Sequence, residues 1–158
     1  MSAGYAILFS IVISALAAAV EGACAGKNVK PFFATLKFPP YSAPLWVWSI
    51  IGGLYYLIFG FVTYRILRLD SSPLRNATLA LVLFMMIANA LSNYVIFRSR
   101  NLRLSFLAGS LAPIFDVTLL VCLIQLDAIA AWSLVPYLIY RVYGVWWGYA
   151  LWKLNRSV

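Results

Sequence analysis

Glu21, Asn89, Asn93, Asp116 and Arg141 stand inside otherwise apolar stretches of the sequence. A charge buried in an apolar run is costly, and it usually marks either a pathway or a structural pair. Asn89 and Asn93 lie four residues apart, hence on one face of a helix. Glu21 falls near the end of its run, where it would meet Lys27 or Lys30 at the interface. No nucleophile–base pair, metal-ligand cluster or phosphate-binding loop accompanies these residues, so hydrolysis and phosphoryl transfer are poorly supported. The chain has no histidine. That removes the commonest metal ligand, the usual haem axial ligand and the usual general base near neutral pH. Cys24 and Cys122 lack CxxC spacing and read as small core residues. No catalytic residue and no metal site is therefore assigned.

The other chemistry-bearing stretch is aromatic. Lys37 to Tyr56 reads KFPPYSAPLWVWSIIGGLYY, with three prolines, two tryptophans, a Gly-Gly pair and three tyrosines. Pro39, Pro40 and Pro44 lack a backbone donor and push the residues before them away from helical angles. The segment before Trp46 is thus expected to be an irregular, stiff loop, with a helix starting at Leu45 just after a proline. Such a segment suits the mouth of a site for a flat apolar ligand; an interfacial aromatic belt would use the same residues.

The elements that position these residues follow from composition. Of 158 residues, 65% are hydrophobic and only 10% charged, against about 25% charged in soluble domains. Five runs reach the roughly 20 residues that cross a bilayer: about 5–25, 45–67, 77–97, 104–126 and 130–152. This predicts an all-α membrane protein, a five-helix bundle forming one domain over residues 1–158. The first run lacks a basic leader and is read as retained rather than cleaved. Connections two to four are short, so consecutive helices run antiparallel. Only the first, about Gly26 to Pro44, is long enough for a functional loop.

The net charge of +8 comes from twelve Lys/Arg against four Asp/Glu. The basic residues sit between apolar runs, as membrane topology demands, so nucleic acid is not an expected partner. Lys27, Lys30, Lys37, Arg98, Arg100, Arg103, Lys153 and Arg156 fall on one side, eight against Arg65, Arg68 and Arg75 on the other. In a bacterial inner membrane this bias puts the C-terminus and the proline-rich loop in the cytoplasm and the N-terminus in the periplasm. Gly22/Gly26 and Gly144/Gly148 form GxxxG pairs that fit either packing within the chain or a homodimer.

Depth links two of the intramembrane charges. Asp116 lies about twelve residues before the turn between the last two spans, expected near 128–129, and Arg141 about twelve after it. At about 1.5 Å per residue both sit roughly 18 Å from that turn, so an ion pair is expected. A lone charge there would cost at least about 2.5–3.5 kcal/mol. The alternative is that Arg141 faces a ligand carboxylate, with Asp116 as its resting partner.

The sequence resembles the TspO/translocator family of tryptophan-rich sensory proteins, also called peripheral benzodiazepine receptor-like. Lys37, the proline cluster, Trp46 and Leu54-Tyr55 echo the family's second-helix region, with Trp46 displaced by one position. Asn89 and Phe97 match its third helix. The last helix matches best: Pro136-Tyr137-Leu138-Ile139-Tyr140, then Trp147-Gly148, then Trp152-Lys153-Leu154-Asn155. Tyr140 stands where the family has tryptophan, Gly148 where it has asparagine, and Ile51 where it has a second tryptophan. The chain thus looks like a divergent member.

The resemblance implies a receptor or carrier for flat apolar ligands, porphyrins and other tetrapyrroles first, sterols or isoquinoline-type molecules next. Its ligand-binding residues would be Pro39, Pro40, Pro44, Trp46, Trp48, Tyr55, Asn89, Asn93, Tyr137, Tyr140 and Trp147, with Lys30 or Lys37 near a propionate. No cofactor is required. Without histidine, a porphyrin or haem-type tetrapyrrole would be bound without tight metal ligation. Lipid and the apolar ligand are the expected partners. Two other readings follow: a light- or oxygen-dependent tetrapyrrole-degrading enzyme, less favoured, and a small accessory subunit of a membrane complex.

Overall fold

The length and apolarity of its segments decide the architecture. The computed structural model describes residues 1–156, and the expected domain end at residue 158 lies outside them. Helix α1 spans Ala3–Ala25 and the short α2 Val29–Thr35. Then come α3 (Leu45–Arg68), α4 (Pro73–Asn93), α5 (Leu102–Leu126) and α6 (Ala128–Leu154). A π-helical turn over Tyr94–Arg98 prolongs α4. All but α2 are long and apolar enough to cross a membrane, five spans in all, and no strand occurs among the described residues.

Local chemistry sets the ends. Pro44 precedes α3, where a missing donor costs nothing. Ser72 caps α4 by accepting from the Arg75 N–H at 3.1 Å, with Pro73 at the first helical position. Asn101 caps α5 in the same way, accepting from the Leu104 N–H at 2.9 Å. A single residue, Asp127, both ends α5 and caps α6, its Oδ1 accepting from the Ala130 N–H at 3.0 Å. The turn expected near 128–129 is therefore one residue long and sits at 127, because Asp127 serves both helices.

The first connection departs from the expected irregular loop. After a turn over Gly26 to Asn28 the chain is helical over Val29–Thr35, and the irregular stretch runs from Leu36 to Pro44. Pro31 is no obstacle, because it falls in the first turn, where backbone donors have no helical acceptor. The three prolines that do block a helix all lie beyond Leu36. The short helix is held by burial: Phe32 and Leu36 pack with Trp147 and Leu151 of α6.

The main core lies between α3, α4, α5 and α6, around Phe59, Val62, Ile66, Val82, Met86, Leu119, Leu123 and Leu134, all under 2% exposed. α1 lies outside it against α3 and α4, burying only Ala6 and Ser10. Its approach to α3 is close: a Cβ at Gly60 would stand 2.7 Å from Ser14 Oγ. The GxxxG pairs do other work. Gly22 has open space where a Cβ would go, and Gly26, at φ 73°, lies under the Arg98 guanidinium. Gly144 and Gly148 line a cavity.

Contacts at the helix ends show which connections share a side. Arg98 donates to the Ala23 carbonyl at 2.8 Å, joining the third connection to the end of α1. Asn155, past the end of α6, clamps Lys37. Its Oδ1 accepts from the Lys37 N–H at 2.9 Å, and its Nδ2 donates to the Lys37 carbonyl at 2.9 Å. At the opposite end, Arg65 meets Asp127 at 2.7 Å.

Candidate functional site

Small residues on the inner faces of the bundle leave a cavity of about 350 Å³, within the range of small-molecule sites. Gly52 of α3, Ala88 of α4, Ala108, Gly109 and Ala112 of α5, and Gly144 and Gly148 of α6 all line it. Pro113 contributes indirectly, since it has no N–H to give the Gly109 carbonyl. Phe84 and Phe115 line the cavity yet are 48% and 39% exposed on the outer surface. The cavity therefore reaches the lipid-facing side between α4 and α5, where these two rings sit 5.1 Å apart.

An aromatic wall closes the end nearest the first connection. The rings of Trp48 and Trp147 are 4.5 Å apart, and Tyr140 and Tyr143 flank Trp48 at 6.0 and 6.1 Å. Phe33 of α2 stacks on Trp147 at 6.5 Å. Each indole N–H is fixed by the irregular segment: Trp48 Nε1 donates to the Ala43 carbonyl at 3.0 Å, and Trp147 Nε1 to Ser42 Oγ at 2.6 Å. Tyr143 ties down the same segment, donating to the Tyr41 carbonyl at 3.0 Å and accepting from the Ala43 N–H at 3.3 Å. The indole faces are thus oriented before any ligand arrives.

Two polar clusters meet this apolar space. In the first, Glu21 Oε2 accepts from the Tyr56 hydroxyl at 2.5 Å and from Asn89 Nδ2 at 2.7 Å. Asn93 Nδ2 donates to the Asn89 carbonyl at 3.2 Å, one turn along the same face. In the second, Arg141 Nε lies 2.9 Å from Asp116 Oδ2, and the guanidinium also donates to the Tyr137 hydroxyl. Its plane lies over the Tyr137 ring, 5.0 Å from the centroid. Arg141 and Tyr137 line the cavity, with Asp116 buried behind them at 2% exposure. The Asp116 contact is one of charge, since the Nε–H is not aimed along it and both carboxylate oxygens lack a hydrogen-bond donor.

A match to the TspO/MBR family model covers residues 8–153, nearly the whole chain. The chain belongs to the TspO/MBR family. Compared with individually curated proteins, it finds no match. Family membership and five apolar helices make this an integral membrane protein with a ligand-binding or transport role.

Of the residues this TspO/MBR protein was expected to place at a ligand, Trp48, Tyr55, Asn89, Asn93, Tyr137, Tyr140 and Trp147 line the cavity. Trp46 does not: it is 66% exposed on the outside of α3. Two residues along a helix turn the side chain by roughly 200°, so Trp46 and Trp48 cannot face one cavity. Pro39, Pro40 and Pro44 are also outside its lining. They shape the segment that carries Ser42 and Ala43, and Pro39 is itself buried. Lys30 and Lys37 are exposed and line no part of it.

Glu21, too, lies elsewhere than sequence reasoning placed it. It pairs with neither Lys27 nor Lys30: both lie beyond the end of α1 at Ala25, and its carboxylate is taken by Tyr56 and Asn89 instead. The signal was present: a carboxylate one turn inside a span, with no basic residue at helical spacing, needs donors from a neighbouring helix. Asn89 and Tyr56 are those donors.

Proposed function

We propose that this protein is a receptor or carrier for flat, apolar ligands, tetrapyrroles foremost, held against the Trp48–Trp147 wall. The observation that carries this reading is that wall: two indoles 4.5 Å apart, each with its N–H tied to the connecting segment, facing an apolar cavity. Aromatic faces pre-set in this way stack on a planar guest at little entropic cost. The opening between α4 and α5 favours loading from the lipid. A porphyrin broader than the cavity would extend through it. Iron would find no histidine, so a metal-free macrocycle is the better guest.

The basic bias supports a bacterial inner-membrane orientation with the C-terminus in the cytoplasm and the N-terminus in the periplasm. Titrating the purified protein with protoporphyrin and following tryptophan fluorescence tests the binding reading. Saturable quenching is expected, weakened when Trp147 is replaced by alanine; a linear, non-saturating response overturns it. Illuminating the same complex separates binding from breakdown, since a new absorption band would make the protein an enzyme.

A further inference from the structure

Glu21 is the acidic residue of the cavity wall, and no basic side chain among the described residues pairs with it. Arg141, the other charged lining residue, is already matched by Asp116 at 2.9 Å. The four acidic residues of the chain are Glu21, Asp70, Asp116 and Asp127, and only the last two form ion pairs among the described residues. Both donors that reach Glu21, from Tyr56 and Asn89, go to the same oxygen, Oε2. Oε1 accepts no hydrogen bond among the described residues. It lies over Gly52, 3.8 Å from where a Cβ would stand, so the absent side chain keeps the approach to that atom clear. A carboxylate oxygen left open on the wall of an apolar cavity is a strong acceptor, because little water competes for it.

We infer that Glu21 Oε1 receives a protonated nitrogen of the ligand, so that the site selects flat aromatic bases carrying a positive charge over neutral or anionic molecules of the same shape. This rests on the ligand-cavity reading above and refines it. The guest is oriented by its nitrogen toward Glu21, while its ring lies on Trp48 and Trp147. Tyr56 and Asn89 are positioning residues, holding the carboxylate plane through Oε2. Lys30 and Lys37 lie outside the lining, and Arg141 within it is already paired with Asp116.

Three tricyclic probes of one shape separate the outcomes: a strongly basic aminoacridine, uncharged acridine, and anthracene carboxylate, each titrated at neutral pH against tryptophan fluorescence. On the wild-type chain the aminoacridine should bind about ten-fold tighter than the other two, the scale of one charge-assisted hydrogen bond. In Glu21→Gln that advantage should vanish. Equal affinity across the wild-type series overturns the inference yet leaves an apolar ligand cavity standing. So does a preference for the cation that survives in Glu21→Gln. Absence of saturable quenching by all three probes would remove the cavity reading and the inference together. The wild-type series decides the matter by itself if Glu21→Gln does not fold.

Discussion

Arg141 Nε lies 2.9 Å from Asp116 Oδ2, between two adjacent helices joined by a one-residue turn. The aspartate is buried and the arginine side chain is 24% exposed, on the cavity side. Removing one charge strands the other in a medium that cannot solvate it. Asp116→Asn should therefore lower stability by about 3–5 kcal/mol, read as thermal unfolding in detergent. Exchanging the two, Asp116→Arg with Arg141→Asp, should recover much of that loss. An asparagine variant that melts with the wild type would show that the contact is not worth its burial.

The aromatic wall makes a prediction with an internal control. Trp48 and Trp147 face the cavity from α3 and α6, whereas Trp46 points outward from the first turn of α3. Trp48→Ala and Trp147→Ala should each weaken binding of a planar ligand by about 1–3 kcal/mol. Trp46→Ala should leave it unchanged. Equal losses in all three variants, measured by isothermal titration, would mean that a general change in the bundle caused them.

Much of this arrangement was readable from sequence where one periodicity decides the outcome. Span lengths follow from apolar runs, and the equal depth of Asp116 and Arg141 follows from counting residues on either side of a tight turn. The four-residue spacing of Asn89 and Asn93 places both on the cavity face. The same arithmetic, applied to Trp46 and Trp48, would have separated them. What remained hidden depends on how helices are arranged sideways. That Glu21 of α1 faces Tyr56 and Asn89 rather than a nearby lysine is set by the seating of α1 on α3 and α4. The helix inside the first connection was hidden for another reason. Seven residues hold too little hydrogen bonding to form a helix alone, and its stability comes from burying Phe32 and Leu36 on α6.

At the far end of the bundle, Asp127 gives the fold an acid limit. Burial opposes its ionisation. The Ala130 N–H and the Arg65 guanidinium outweigh burial and hold its carboxyl below the usual carboxylate range. A carboxylate whose folded pKa is depressed adds stability above its unfolded value, about 3.9, and loses it as pH falls through the lower folded value. Melting temperature should therefore fall on acidification below about pH 4. In Asp127→Asn the part of that fall due to this residue should be absent, since asparagine still caps α6 but does not titrate. Identical acid profiles for the two proteins would assign the loss to other groups.

The rings of Phe84 and Phe115, 5.1 Å apart, stand where the cavity reaches the lipid-facing surface. If ligands pass between α4 and α5, trimming these rings should change rates more than affinity. Phe84→Ala with Phe115→Ala should speed both loading and release in stopped-flow quenching, with little change in their ratio. A lower affinity at unchanged loading rate would make the two rings part of the ligand's bed.

The last prediction concerns Asn155, whose amide reaches across 118 residues to both backbone groups of Lys37. A third bond, from Nδ2 to the Leu151 carbonyl at 2.8 Å, fixes the amide to the end of α6. The residue is 5% exposed, so the amide itself has no water as a ready substitute for these bonds. The clamp sets where the irregular segment begins, and that segment holds the Trp48 and Trp147 indoles through Ala43 and Ser42. Asn155→Ala should remove both bonds to Lys37, at a cost of about 0.5–1.5 kcal/mol for each. It should also free the segment for proteolysis. Trypsin added to the folded protein should then cut after Lys37 in the variant well before it does in the wild type. The five helices should meanwhile keep their circular dichroism. Cleavage at equal rates in both proteins would show that the tyrosine and tryptophan bonds alone hold the segment.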